Sequence, residues 1–380
     1  MKTKVLFIGD LSRGDQANNV QTLYRLLSPA FHATRLECSA HLSALNTLTD
    51  PADWMDRWQA SLIASGESPL SALDLDNSVI VGFEVPFKDL AILTQRNVPW
   101  INFEIHPIRF LEDLYLGVSS SFEYCLEPLG ADPTLIELCV NALRIRYGFT
   151  QKPSQGLTLA IFGQTPIDRS VFFDSEFKRL DSYFDQLDRL ANEHRQVLYR
   201  PHPYLTDTEL DKKICRRYDA QLCAERDVYR LFSSDSIATV CAISSSAVVE
   251  APFFGIRGEM LEPRAKHFGA AVSYGRLMDE HQAWVGKLLG LTEPPRCQPI
   301  SRAIPKNFLR DAFGYWGYVT QEQEMEAQIA ALRSTIEKVG ARANLAEAEL
   351  SATYHSYSWR LTRPMRWMAN LIFSIFGKLP

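Results

Sequence analysis

The sequence predicts an α/β protein with two domains, each a parallel sheet covered by helices, followed by a C-terminal helical and amphipathic tail. Short apolar runs alternate with helical patterns over most of the chain, which is typical of parallel sheets covered on both faces. This alternation stops at a polar linker over residues 148–156 and then restarts. The length of 380 residues is sufficient for two ordinary domains.

The same changes in pattern predict the boundaries of the domains and of their elements. The domains are Rossmann-like at residues 1–150 and 151–315, followed by a heptad-like helix at 316–352 and a basic amphipathic tail at 353–380. Strands are predicted at residues 5–8, 78–83, 99–105, 157–162, 196–200, 220–223 and 237–242. Helices are predicted at residues 20–27, 53–64, 86–95, 133–147, 175–194, 207–217 and 247–254.

Composition and charge exclude several classes of function. The net charge of −5 lacks the basic footprint of a nucleic-acid-binding protein. The 7 cysteines form no C-x-x-C pair and no histidine-flanked cluster, as expected of reduced thiols in a cytosol. Because a strand is predicted almost directly after Met1, we expect no signal peptide. Gly9 and Asp10 open a loop without G-x-G-x-x-G, so no dinucleotide cofactor is predicted.

The strand predicted at 157–162 runs into the sequence Gly-Gln-Thr-Pro-Ile-Asp at residues 163–168. Ligands bind at the carboxyl ends of parallel strands, so Gln164 and Asp168 are candidate site residues. A carboxylate held against a sugar carbon can act as a nucleophile and divide one displacement into two. The alternative is that Asp168 caps a short helix beginning at Arg169.

Two further predicted strands of the second domain also end in polar residues. Pro201 and Pro203 flank His202, and a rigid imidazole there can donate to a phosphate or move a proton. Arg200 adds a positive charge at the same place, although its side chain could equally face away from the site.

A run of three serines follows the strand predicted at 237–242. Ser246 is predicted as the N-cap of the next helix, whose free N–H groups suit a phosphate, and Ser244 and Ser245 add hydroxyl donors. Glu250 lies one position too late for a capping box and is predicted to accept from hydroxyls such as those of a ribose. The alternative for the serines is an ordinary helix cap.

In the first domain, polar residues lie at the end of the strand predicted at 99–105. Asn102, Glu104 and His106 alternate with apolar residues and therefore share one face. Glu104 is the candidate general acid or base for an acceptor hydroxyl, with Glu84 as the rival. The D-x-D sequence at residues 74–76 precedes a strand, so it is interpreted as a turn and no metal is expected.

The C-terminal region has two patterns. Apolar residues are spaced alternately four and three positions apart, as heptad a and d positions are. This spacing is compatible both with a coiled coil and with a helix docked on the protein itself. These residues are Met325, Ile329, Leu332, Ile336, Val339, Ala343, Ala346 and Leu350. Residues 359–376 are basic, tryptophan-bearing and too short to span a bilayer, which predicts a peripheral membrane contact. The alternative is a tail packed on the protein's own surface.

Together these motifs resemble the retaining β-Kdo transferases that build lipopolysaccharide O-antigens and the lipid-linked base of bacterial capsules. The resemblance covers roughly residues 157–255, through Gly163, Gln164 and Asp168, the His202-Pro203 pair and the motif at residues 245–251. Residues 104–117, with Arg109 and Asp113, are similar to the family's acidic motif in the first domain. Residues 357–364 look like an ending common among polysaccharide-assembly enzymes.

The resemblance implies a GT-B fold, in which two Rossmann-like domains face each other across a cleft. It implies transfer from CMP-Kdo to a glycan acceptor, lipid-linked or free, without metal or cofactor and through a covalent Kdo–aspartate adduct. Asp168 would be the nucleophile, His202 would contact the departing phosphate or the sugar, and Glu104 would be the acid/base. The CMP site would comprise Ser244, Ser245, Ser246 and Glu250, with Gln164 and Arg200 as further substrate-binding candidates.

Such an enzyme would work at the cytoplasmic face of the inner membrane, beside other glycosyltransferases of the same pathway. Two alternatives stay open. One keeps the fold but changes the donor, as in a sialic acid, glycerol-phosphate or other nucleotide-sugar transferase. The other is a catalytically silent GT-B-like protein that scaffolds an assembly complex.

Overall fold

The structure is a computed structural model that divides into two compact units, Met1–Val319 and Thr320–Pro380. It describes residues 4–11, 16–34, 36–41, 68–147, 157–174, 176–202, 208–223, 225, 227–234, 236–263, 268–293, 304–305, 307–314, 321–356, 359, 361–362 and 364–368. The helix predicted at 53–64, the linker predicted at 148–156 and the end of the tail at 369–380 lie outside these residues.

The first unit contains two five-stranded sheets. The strands of the first sheet are β1 (Lys4–Ile8), β2 (Glu37–Ala40), β3 (Ser78–Phe83), β4 (Trp100–Ile105) and β5 (Leu116–Ser120). Their order is β2-β1-β3-β4-β5, and only β5 runs antiparallel to its neighbour. Helix α1 (Ala17–Leu27) packs on one face and helix α2 (Phe87–Gln95) on the other. All residues of β3 are therefore buried, as in central strands of parallel sheets.

The next strands in chain order are β6 (Thr158–Phe162), β7 (Phe172–Phe173), β8 (Glu176–Phe177), β9 (Gln196–Arg200), β10 (Gln221–Leu222), β11 (Ile237–Ala242) and β12 (Arg257–Met260). Five of them form the second sheet, which is entirely parallel and has the order β10-β9-β6-β11-β12. Strands β7 and β8 form a separate small hairpin. The helices are α3 (Pro133–Arg146), α4 (Phe184–Asn192), α5 (Thr208–Tyr218), α6 (Val228–Ser233) and α7 (Ser246–Glu250). The alternation of strands and helices predicted from the sequence is confirmed.

The chain crosses between the two cores in both directions. Helix α3, within the predicted first domain, contributes Val140 and Leu143 to the core on the second sheet. Three later helices, α8 (Tyr274–Asp279), α9 (His281–Leu289) and α10 (Phe308–Phe313), return to the first sheet, where Trp284 and Phe313 are buried. The apolar faces of these helices are completed by side chains distant in sequence. The boundary at residue 150 stays a prediction, and the exchange of helices is not visible from local periodicity.

Two predicted helices differ from those observed. The helix predicted at 175–194 begins only at Leu180, as a 3-10 turn that leads into α4, and hairpin β7-β8 precedes it. The helix predicted at 247–254 is α7 followed by a 3-10 turn, because Pro252 has no N–H with which to continue α-helical hydrogen bonding. The predicted stop at Gly255 is confirmed, and this glycine takes the left-handed φ of 74°.

The second unit is dominated by one long helix, α11 (Gln321–His355) of 35 residues. This confirms that the heptad pattern forms a helix. A short helical stretch follows at residues 364–368. Over the described part of the chain, we find no helix whose length and apolar character would allow it to cross a bilayer.

Candidate functional site

The loops after β6, β9 and β11 lie side by side, because these strands are neighbours in the parallel second sheet. They carry Gln164, His202 and Ser244, which the sequence places at three separate strand ends. The carboxyl edge of a parallel sheet is where α/β proteins bind ligands. The structure therefore brings these three candidates together at one edge.

Gln164 and Ser244 join two of these loops directly. The amide nitrogen Nε2 of Gln164 donates to Oγ of Ser244 at 3.2 Å, and the backbone N–H of Ser244 donates to Oε1 of Gln164 at 2.8 Å. The hydroxyl of Ser244 also donates to the carbonyl oxygen of Ser170. These two predicted substrate-binding residues thus hydrogen-bond to each other and hold the loops after β6 and β11 together.

The cap of α7 is Ser245 and not the predicted Ser246. Oγ of Ser245 accepts from the backbone N–H of Ala247 at 3.3 Å, and Ser246 is the first residue of the helix. The helix begins one residue earlier than predicted, a difference of the size expected at helix ends. Among the described residues, no hydrogen-bond partner reaches the hydroxyl of Ser246.

Gly163 allows the β6 and β9 loops to approach closely. Its N–H donates to the carbonyl oxygen of Arg200 at 2.8 Å. A Cβ at this position would lie 2.9 Å from Oη of Tyr199, 3.1 Å from the backbone nitrogen of His202 and 3.2 Å from Cα of Pro201. Only glycine allows this approach without moving the backbone that carries His202.

Two contacts of Arg200 are with residues outside the serine loop. Its Nε donates to the carbonyl oxygen of Glu225 at 3.3 Å, and its guanidinium lies 5.2 Å from the centroid of the Phe162 ring. Burial lowers the pKa of Arg200. The role of Arg200 in substrate binding stays a prediction.

Asp168 and His202 are within electrostatic reach of each other. Burial lowers the pKa of His202, the positive charge of Arg200 lowers it further, and the negative charge of Asp168 opposes both effects. The lowered pKa favours the neutral imidazole at neutral pH, which carries one ring N–H. A neutral imidazole can donate one hydrogen bond to a phosphate or sugar oxygen.

Asp168 caps the 3-10 turn Arg169–Val171. Its Oδ1 accepts from the backbone N–H of Ser170 at 2.8 Å, so the capping alternative is realised. In the described part of the chain no donor reaches the second oxygen, Oδ2. A carboxylate has two oxygens, and the cap holds the side chain through Oδ1 alone.

Asp10 and Arg169 form an ion pair that the sequence did not predict. Asp10 lies two residues after the end of β1, and its side chain is 2% exposed. Arg169 directly follows Asp168. The pair therefore links a strand end of the first sheet to the turn that carries Asp168. The only signal in the sequence was the position of an aspartate at the end of an apolar strand.

The first-sheet candidates occupy strand β4 and the residue after it. Glu104 is half-buried opposite Gly117, where an added Cβ would lie 3.0 Å from Cγ of Glu104. Oδ1 of Asn102 accepts from the N–H of Val85 at 3.0 Å. Glu84, the rival to Glu104, accepts through Oε2 from the side-chain amide of Gln16 at 3.3 Å. The role of Glu104 as acid/base stays a prediction.

His106 is a structural histidine. Its Nδ1 accepts from the N–H of Ile108 at 3.2 Å, and its Nε2 lies 3.2 Å from the carbonyl oxygen of Gly269. Burial lowers the pKa of His106 to about 4. The ring is therefore neutral, with its proton on Nε2.

Glu250 requires a correction, because the structure buries it instead of presenting it to a ribose. Its side chain is 2% exposed, and Oε1 accepts from the backbone N–H of Arg109 at 2.8 Å and from Oη of Tyr229 at 2.9 Å. Burial raises the pKa of Glu250 to about 7, although Arg109 and Tyr229 favour the ionised form. Glu250 therefore joins α7 to the loop after β4.

The acidic segment of the first half is fixed by α10. Oδ2 of Asp113 accepts from the N–H of Leu309 at 2.9 Å, and Oδ1 accepts from the N–H of Arg310 at 3.1 Å. Nη2 of the fully buried Arg310 donates to the carbonyl oxygens of Arg109 at 2.7 Å and Leu111 at 3.1 Å. Asp113 is thus a helix cap, supplied by a segment distant in sequence.

The D-x-D sequence forms a turn, as predicted. Oδ1 of Asp74 accepts from the N–H of Asp76 at 3.2 Å, and Oδ2 pairs with Nζ of Lys4 at 2.8 Å. Asn77 completes the turn with a positive φ of 54°. Across the described residues, no cluster of three or more histidine, cysteine or acidic side chains could hold a metal.

Comparison with known proteins finds similarity among solved structures. No protein-family model matches the chain. No curated protein matches it either. Among solved structures it is similar to Thermosulfurimonas dismutans KpsC, a beta Kdo 2,7 transferase, with 14% sequence identity and a TM-score of 0.37. The match covers 73% of this chain and 89% of that one.

Proposed function

We propose that the chain is a glycosyltransferase of the GT-B type that moves Kdo from CMP-Kdo to a glycan acceptor with retention of configuration. The observation that supports it most is the grouping of Asp168, His202 and Ser244–Ser246 at adjacent strand ends of one parallel sheet. This grouping occurs in a chain whose motifs resemble those of the β-Kdo transferases in order and spacing.

Asp168 would act through Oδ2. This oxygen attacks the anomeric carbon of Kdo while the bond from that carbon to the CMP phosphate breaks and CMP departs. The acceptor hydroxyl then displaces Asp168 from the same carbon, and its proton passes to Glu104. Two inversions give net retention. The cap from the N–H of Ser170 holds the carboxylate in place, so little freedom has to be lost before attack.

The donor contacts would come from His202, Ser245 and Ser246. The neutral imidazole of His202 would donate to a phosphate or sugar oxygen, and the two serines lie at the start of α7. Gln164 and Ser244, which hydrogen-bond to each other, would hold the two loops that contact the donor in place. Glu250 is left out of the CMP site because it is buried.

The direct test is to incubate the protein with CMP-Kdo and measure release of CMP. Release that depends on Asp168 supports the proposal. Calorimetry with CMP, UMP, GMP and AMP then tests the base. A preference for a purine nucleotide would overturn the CMP assignment but leave a nucleotide-sugar transferase open. If the protein binds none of the nucleotides and shows no turnover, the silent scaffold is favoured. The cap made by Asp168 is compatible with that outcome, because a silent protein would also keep it.

We further propose that residues 359–376 hold the enzyme at the cytoplasmic face of the inner membrane. Arg366 lies over the ring of Trp359, 3.5 Å from its centroid, so a cation and an aromatic ring occupy one surface of the tail. A chain ending before Tyr354 should lose binding to anionic vesicles and keep activity on a soluble acceptor. Neutral vesicles are the control, and failure of the full chain to bind anionic vesicles at low salt would leave the tail a packing element.

A further inference from the structure

The long helix α11 carries an exposed apolar stripe that the proposed transferase chemistry does not use. Between 46% and 69% of the surface of its larger members is exposed, from Ile329 at the low end to Ile336 at the high end. The others are Met325, Leu332, Val339 and Leu350. Exposed apolar side chains repeated over seven turns of helix need a partner.

The width of the stripe distinguishes the two arrangements that the sequence left open, a coiled coil and a helix docked on the protein itself. A helix docked on its own globular surface needs apolar residues at a, d and also e or g, whereas a coiled-coil seam needs only a and d. Here the flanking positions are mostly polar or charged: Glu326, Arg333, Glu347, Gln328, Thr335, Arg342 and Glu349. The stripe is therefore a narrow seam, which fits a second helix of the same kind.

The residue types on the seam indicate how many helices meet. With Ile329 and Ile336 at a and Leu332 at d, the N-terminal part has β-branched residues at a and leucine at d. That choice favours two parallel strands over three or four. Ala343 and Ala346 make the later layers thinner, so the first layers supply most of the buried apolar area.

Charge determines the relative direction of the two helices. In a parallel pair, position g of one helix faces the following e of the other, which places Arg342 against Glu347 of the second copy, twice by symmetry. No like-charged pair arises in this register. In an antiparallel pair, Ile329 of one helix would lie opposite Ala346 of the other. Glu326 of one helix would then lie beside Glu347 of the other, and their like charges would repel. Parallel pairing is therefore favoured.

We propose that the chain forms a parallel homodimer through α11, with Met325–Leu350 as the seam and Arg342 paired with Glu347 of the second copy. The proposal is independent of the transferase function. Light scattering of the full chain in mild detergent should give twice the monomer mass of 43.1 kDa. Ile336→Asp should halve that mass. Because Ile336 is exposed, its replacement should leave the thermal unfolding of the rest of the protein unchanged.

Charge reversal provides the sharper test. Arg342→Glu and Glu347→Arg should each weaken the dimer, since each sets like charges together, and the double variant should restore it. For direction, Leu332→Cys should form an inter-chain disulfide on mild oxidation, because a d position faces itself in a parallel pair. Ala348→Cys, on the outer face at f, is the control. A monomer, a larger oligomer, a dimer insensitive to Ile336→Asp, a double variant that stays weak, or no cross-link at Leu332→Cys would each overturn the proposal.

Discussion

The guanidinium of Arg169 pairs with the carboxylate of Asp10 at the end of β1, so a side chain of the first sheet holds the turn that carries Asp168. Asp10 is 2% exposed and Arg169 is 31% exposed at the side chain. The buried partner is thus the acid, and the arginine retains access to water. This difference in exposure determines how much each substitution should destabilise the protein.

We expect Arg169→Met to destabilise the protein more than Asp10→Asn does. Removing the arginine leaves a buried carboxylate without its cation, whereas Asp10→Asn leaves an arginine that water can solvate. The difference should be about 1–3 kcal/mol in the free energy of unfolding. Urea unfolding of both variants at neutral pH measures it, and a larger loss for Asp10→Asn would contradict the burial argument.

Asp168→Asn separates the chemical role of this residue from its structural one. Asparagine is as good an N-cap as aspartate, so the turn Arg169–Val171 should persist while the negative charge is lost. We expect turnover of CMP-Kdo to fall by orders of magnitude with CMP affinity nearly unchanged. Asp168→Ala, the comparison variant, should in addition lose about 1 kcal/mol of stability. Substantial turnover by Asp168→Asn would assign the residue to capping alone.

Gly163→Ala should disturb the loop that carries His202. Two of the three atoms that the new methyl would meet, at 3.1 and 3.2 Å, belong to the backbone of His202 and Pro201, which cannot rotate away. We expect a loss of about 1–3 kcal/mol in stability together with weaker CMP binding. Gly269→Ala is the control, since nothing lies within 4 Å of its added Cβ. Equal behaviour of the two variants would show that the close approach is unimportant.

Glu250 should make stability depend on pH. Its pKa is raised from 4.5 to about 7 by burial, so the folded state binds the proton more tightly than the unfolded state. The resulting stabilisation is complete below pH 4.5 and is lost as the pH rises to about 7. Tyr229, Arg109 and Arg310 are the groups that act on the carboxyl.

Glu250→Gln removes this titration while keeping an acceptor for Arg109 and Tyr229. Over that pH window the variant should gain stability relative to the parent, by up to roughly 3 kcal/mol. Urea unfolding at a series of pH values measures the gain. Glu123→Gln, at an exposed glutamate, should show none. A constant difference between Glu250→Gln and the parent across the series would mean that Glu250 does not titrate there.

The sequence by itself determined the elements and several of their ends. Alternation of apolar runs predicted the strands, Gly255 predicted a helix stop, and the steps of four and three predicted α11. It also placed Gln164, Asp168, His202 and the serines at strand ends. Because parallel strands bring their carboxyl ends to one edge of the sheet, the positions of these residues in the sequence were enough to predict that they lie together. Each of these features is encoded by residues close to one another in the chain.

Only the tertiary structure decided what the side chains do. Glu250 has the same local pattern whether it faces a ribose or Arg109, and burial by α6 and the loop after β4 made it an internal acceptor. The pairing of Asp10 with Arg169 joins residues 159 positions apart. The exchange of α3 and α9 between the two cores is of the same kind. Burial and charge pairing depend on which distant segments pack together, and a local sequence pattern does not contain that information.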